Sequence, residues 1–198
     1  MDTRITALYP IGCSWARTNI FGYASKGIPG LEIVGLGKNG KTIKEKFIFI
    51  TRREKLRLPL KRYVICIEEF STEKDIMLSN LRWIELPMLV LFWSMAGLLP
   101  IGRLDDCLAA GKIQVDGMID CPIITDDVVH KTLGVQNISE WKMIAPDAVS
   151  ENTSIPVISL EDIFRERVSL SVQLVPPSEK NRFIKEDRCF KAVPSRVI

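Results

Sequence analysis

The order of apolar and polar positions sets out a mixed series of strands and helices. "LEIVGL", residues 31–36, is apolar and rich in β-branched residues and closes on Gly35, the pattern of a buried strand. "TIKEKFIFITRREK", 42–55, places Ile43, Phe47 and Ile50 at i, i+4 and i+7, which predicts an amphipathic helix stopped by Pro59, although "FIFI" is also strand-prone. "RYVICIEEF", 62–70, predicts a strand buried on both faces, and "EKDIMLSNLR" an irregular link. "LPMLVLFWSMAGLL", 86–99, is apolar all round. With Pro87 in its first turn and Pro100 just beyond it, it reads as a buried core helix. At 14 residues it falls short of the roughly 20 a spanning helix requires, so no membrane segment is expected.

Downstream the elements shorten. "IGRLDDCLAAG", 101–111, suits a short helix or an edge connection. In "KIQVDGMIDC", Asp116–Gly117 between alternating apolar residues predicts a hairpin with a type I′ turn. A helix over about 125–134 ends on Gly134, "WKMIAP" is a short strand, and "IPVISLEDIFRERV" is a strand followed by a helix that starts at Ser159 and Asp162. From about Ser171 three prolines, mixed charge and no periodicity mark a surface tail. The expected organisation is one domain over 1–170 and a basic tail over 171–198, with an α+β fold.

Charge changes this picture more than composition does. Residues 38–62 hold ten Lys/Arg against Glu45 and Glu54, a net of +8, whereas 63–170 hold 8 basic and 17 acidic residues, a net of −9. A basic segment beside an acidic body attracts phosphates, a nucleic-acid backbone or an acidic protein, or is a solvated helix face. The candidate contact residues are Lys44, Arg52, Arg53, Lys55, Arg57, Lys61 and Arg62. The five cysteines are scattered without a C-x-x-C pair, and His130 is the only histidine. No zinc site is expected, and the cysteine usage suits the reducing cytoplasm.

One motif competes with the contact reading. Gly35, Gly40, Lys41 and Thr42 satisfy G-x-x-x-x-G-K-[ST], in which glycine amides cradle phosphate, lysine neutralises it and the hydroxyl reaches Mg²⁺. Glu68 and Glu69, closing the next apolar strand, would then orient water. Against this, the chain carries a hairpin where nucleotide-binding folds alternate strands and helices, and only 26 residues separate Lys41 from Glu68.

Five stretches in order resemble the N-terminal, magnesium-chelatase-like (ChlI-like) domain of ComM-type AAA+ proteins. They are "GIPGLEIVGL" at 27–36, "LPLKRYVICI" at 58–67, "ELPMLVLFWSMAGLLP" at 85–100 with Glu85 where the family has Asp, "VDGMI" at 115–119, and "MIAPDAVSENTSIPVISLEDIF" at 143–164. The resemblance spans about residues 5–168. It implies a fold like the proteolytic domain of Lon protease and the second domain of ribosomal protein S5, a mixed sheet with helices packed on it. It also implies that the nucleotide is bound by a separate AAA+ module, so the residues after "IVGL" hold no cofactor. A Lon-type protease has its serine just ahead of the buried helix, and the matching positions are Arg82, Trp83 and Ile84. Ser79 lies about a helical turn away, and Lys131 is the lysine on offer from the helix after the hairpin. The implied role is therefore non-catalytic: a scaffold or interaction domain of DNA-processing machinery, whose partners would be an AAA+ module, another protein or DNA.

Overall fold

The computed structural model describes residues 2–68, 78–135, 137–146 and 153–164. The chain divides into two compact units, Met1–Glu161 and Asp162–Ile198; of the second only 162–164 are described, as helix. The tail expected over 171–198 and Glu69 lie outside the described residues, as does the side chain of Ser79.

The first unit is a mixed α/β body. Two long strands, β1 (Asp2–Ile11) and β2 (Ser14–Ser25), form an antiparallel hairpin in register from Ile11↔Ser14 to Asp2↔Tyr23. The sequence reading placed no element here. The next part follows the expected order: β3 (Gly30–Val34), α1 (Asn39–Arg53), and β4 (Arg62–Ile67), parallel to β3 and antiparallel to β2. Beyond it come α2 (Leu78–Leu81), α3 (Glu85–Met95), β5 (Cys107–Ala109), a hairpin of β6 (Lys112–Ile113) and β7 (Ile119–Asp120), α4 (Asp126–Leu133), β8 (Lys142–Ala145) and β9 (Val157–Ser159). The seven-stranded sheet runs β3-β4-β2-β1-β5-β8-β9.

Four local expectations need correction. The stretch 73–82, expected as an irregular link, carries the short helix α2 at Leu78–Leu81. β5 is an interior strand, parallel to β1 and β8, rather than a short helix or edge connection. Cys107, Leu108 and Ala109 are all fully buried, so no alternation betrays the strand. The hairpin turn is not type I′, because Gly117 (φ 82°) has the positive φ and Asp116 does not. Gly117 N–H donates to Gln114 C=O (3.0 Å) and Gln114 N–H to Met118 C=O (2.8 Å), the three-residue loop that ends in a glycine bulge. Helix α1 ends at Arg53, well before Pro59: Lys55 adopts a left-handed conformation (φ 54°) and Leu56 N–H closes on Thr51 C=O (3.0 Å).

The core joins α1 and α3 on one sheet face. Phe47 stacks on Phe92 (6.3 Å), Tyr63 meets Phe92 edge-on (5.2 Å), and Trp93 Nε1 donates to Thr51 Oγ1 (2.9 Å). The side chains of β1 alternate, so Leu8 points to the opposite face. There it packs with Leu108, Val129, Leu133 and Met143 under α4. At Gly22 β4 and α3 both approach closely: a Cβ there would lie 2.7 Å from Val64 C=O and 2.9 Å from the Met95 side chain. Gly22→Ala is expected to cost about 2 kcal/mol as overpacking, read as a lower urea midpoint at unchanged slope.

Candidate functional site

The glycine-lysine stretch forms the bend between β3 and α1. Asn39 N–H donates to Leu36 C=O (3.1 Å) and Gly40 N–H to Gly37 C=O (3.3 Å), so both amides are engaged inside the loop. Each motif glycine has a packing reason. A Cβ on Gly40 would meet Ile33 C=O at 3.2 Å, and one on Gly35 (φ 101°) would meet Ile67 C=O at 3.2 Å. β3 is an edge strand of the mixed sheet. Lys41 and Thr42 are exposed on α1. Glu68 is held elsewhere: its carboxylate accepts from Asn19 Nδ2 (2.8 Å) and its carbonyl from the Thr18 hydroxyl (3.2 Å).

The positions ahead of α3 are filled by packing and structural contacts. Ile84 is fully buried. Trp83 meets Trp15 edge-on at 6.2 Å and carries Lys112 Nζ 4.0 Å above its ring. Lys131 is exposed and paired with Asp127 (2.6 Å) on its own helix, while His130 Nδ1 lies 2.9 Å from Val135 C=O. The Cys107 thiol is pushed up to about 12, first by burial and then by the adjacent Asp106 carboxylate, so it remains protonated and is no nucleophile at neutral pH. Among the described residues no three His, Cys, Asp or Glu side chains gather to hold a metal, and no helix is long and apolar enough to cross a membrane.

The basic segment stands out differently. Arg52, Lys55, Arg57 and Lys61 are exposed and Lys44 is half-buried; none of the five has an ion pair among the described residues. Two of the seven expected contact residues are engaged. Arg53 pairs with Glu54 (2.9 Å) and donates to Asp116 C=O (2.6 Å), and Arg62 pairs with Glu32 (2.6 Å). The free cations concentrate where α1 ends and β4 begins. The loop leading into β3 runs beside that entry, since Gly30 N–H bonds to Lys61 C=O (3.1 Å) and Gly30 registers with Arg62. This brings in Lys26, together with Ile28 and Leu60, which are 89% and 86% exposed; charge counting along the chain had left them out.

A second feature escaped the sequence reading. Glu85, the first residue of α3, is 1% exposed. Its Oε1 receives Lys46 Nζ (2.7 Å) with Arg82 Nε at 3.5 Å, and its Oε2 accepts from Ile113 N–H (2.8 Å). Lys46 Nζ and Arg82 Nη2 also donate to Ile113 C=O, at 3.2 and 2.8 Å. The network ties α1, α3 and the small hairpin together at the floor of a cleft. The only signal in the sequence was an acid at the entry of an otherwise apolar helix.

In comparisons with known proteins, no family model matches the chain, and no curated protein matches it at a significant level.

Proposed function

We propose that this chain is a non-catalytic contact domain that holds a nucleic-acid backbone through the basic end formed by Arg52, Lys55, Arg57 and Lys61, with Lys44 farther along α1. The observation that carries this reading is the group of exposed cations with no acidic partner among the described residues, in a segment of net charge +8. Such cations lower the free energy of a phosphate chain by releasing its counterions. The order of elements supports the finer fold assignment, a body like the Lon proteolytic domain and the second domain of ribosomal protein S5. The IVGL strand, α1, β4, α3, the hairpin and the closing strands β8 and β9 follow one another as the resemblance implies. In that setting the domain would serve DNA-processing machinery beside a separate AAA+ module.

Engagement of the Asn39 and Gly40 amides weighs against the alternative, nucleotide binding at Gly35–Thr42. The position ahead of α3, occupied by Arg82, Trp83 and Ile84, offers no serine for peptide hydrolysis. Retention of labelled single-stranded and duplex oligonucleotides by the full chain, measured across salt, tests the proposal. With four or five phosphates neutralised, log K for the single strand should fall with log salt at a slope of about −3. No salt-dependent retention of either would sink it.

A further inference from the structure

The cleft over Glu85 is lined by none of the cations assigned to the basic end and calls for its own occupant. Two adjoining hollows of about 430 and 490 Å³ share Thr42, Lys46, Gln114 and Val115. Together they follow α1 from Asn39 to Ile50, with the hairpin as the opposite wall. Eleven helical rises make that groove about 16 Å long, the span of about five extended residues. Its walls are mainly aliphatic and aromatic: Leu36, Ile43, Leu81 and Val115, with Phe49 at the far end.

Lys41, Thr42, Glu45 and Gln114 add polar groups along the groove, and a buried ionic network closes its α3 end. The Glu85 carboxylate is satisfied by Lys46, Arg82 and Ile113 N–H. The cations are not exhausted. Among the described residues Lys46 uses two of its three N–H donors, on Glu85 and Ile113 C=O, and Arg82 directs only Nε and Nη2 to these same partners. Both line the cleft, with side chains 21% and 39% exposed. One buried carboxylate between two cations leaves a net positive charge with spare donors, which suits one incoming carboxylate. A phosphodiester chain fits poorly, since Lys41, Lys46 and Arg82 against Glu45 and Glu85 leave the lining only one net positive charge and most of the wall is apolar. A small acid would fill the deep end and leave Phe49 (51% exposed) and Val115 (91% exposed) in water at the rim.

We infer that this groove binds a short extended peptide segment of a partner protein, its acidic side chain anchored by Lys46 and Arg82 and its apolar side chains laid between α1 and the hairpin. Its lining shares no residue with the proposed nucleic-acid contact.

Fluorescence anisotropy of the full chain tests it, using an array of labelled hexapeptides that combine Leu, Val and Phe with one Glu at each position in turn. Each peptide is compared with its Gln counterpart. Glu-containing peptides should bind, and the Gln versions about tenfold more weakly. Arg82→Gln should weaken binding by a similar factor. Val115→Glu alters only an exposed rim position, so it preserves the fold and should also weaken binding at least about tenfold. Both variants should retain oligonucleotides as the wild type does, which separates this inference from the proposed function. The inference is overturned if no Glu peptide binds up to millimolar concentration, if Gln peptides bind equally, if Val115→Glu has no effect, or if glutarate competes as tightly as the peptides.

Discussion

Replacing Glu85 with alanine is expected to lower the stability of the body by about 3 kcal/mol. The carboxylate is almost fully buried and meets Lys46 of α1, Arg82 of the turn before α3 and Ile113 N–H of β6. Removing it leaves two cations facing each other and a main-chain donor without its acceptor. Breaking a buried pair costs roughly 3–5 kcal/mol, and the lower end applies because Lys46 and Arg82 keep contact with water. Glu85→Gln retains an acceptor for Ile113 and should lose less. Urea unfolding at unchanged slope is the readout. A loss below about 1 kcal/mol would mean the network does not fasten the hairpin to α3.

The second large effect is Trp93→Ala, expected to cost about 4 kcal/mol. Trp93 is 2% exposed, lies in the largely apolar α3, and donates to the Thr51 hydroxyl on α1. Alanine removes an indole from a close-packed layer between two helices and a sheet, where little can collapse into the space. Trp93→Phe keeps most of the volume and loses the hydrogen bond, so it should cost about 1–2 kcal/mol. Thermal and urea unfolding of the pair, followed by near-ultraviolet circular dichroism, separate the two. Equal losses would place the stabilisation in the hydrogen bond rather than the packing.

These elements also show which parts of the fold the sequence made legible. α1, α3 and α4 were visible because their apolar positions are either periodic or continuous, and Gly134 (φ 67°) marks the end of α4 where expected. β2 was not visible because its burial follows its hydropathy only at Ile20. Thr18 and Gly22 point inward, while Phe21 and Tyr23, 40% and 36% exposed, point outward. β1 failed for a different reason, since residues 5–9 are buried on both faces and no period of two remains. The basic segment was legible as a count of charges. That count did not reveal that Glu32 and Glu54 engage Arg62 and Arg53, because one of those pairs joins residues 30 positions apart. The cleft was not legible at all. Its floor is assembled from Lys46, Arg82, Glu85 and Ile113, which become neighbours only when α1, α3 and the hairpin pack together.

The most direct test of the contact reading is a charge-reversed variant carrying Arg52→Glu, Lys55→Glu, Arg57→Glu and Lys61→Glu, compared with the wild type in a salt titration against one single-stranded oligonucleotide. All four positions are exposed, so the melting temperature should stay close to that of the wild type. A log–log slope of about −3 is expected for the wild type and a slope near zero, with retention lost, for the variant. Equal slopes and equal retention in the two proteins would contradict it.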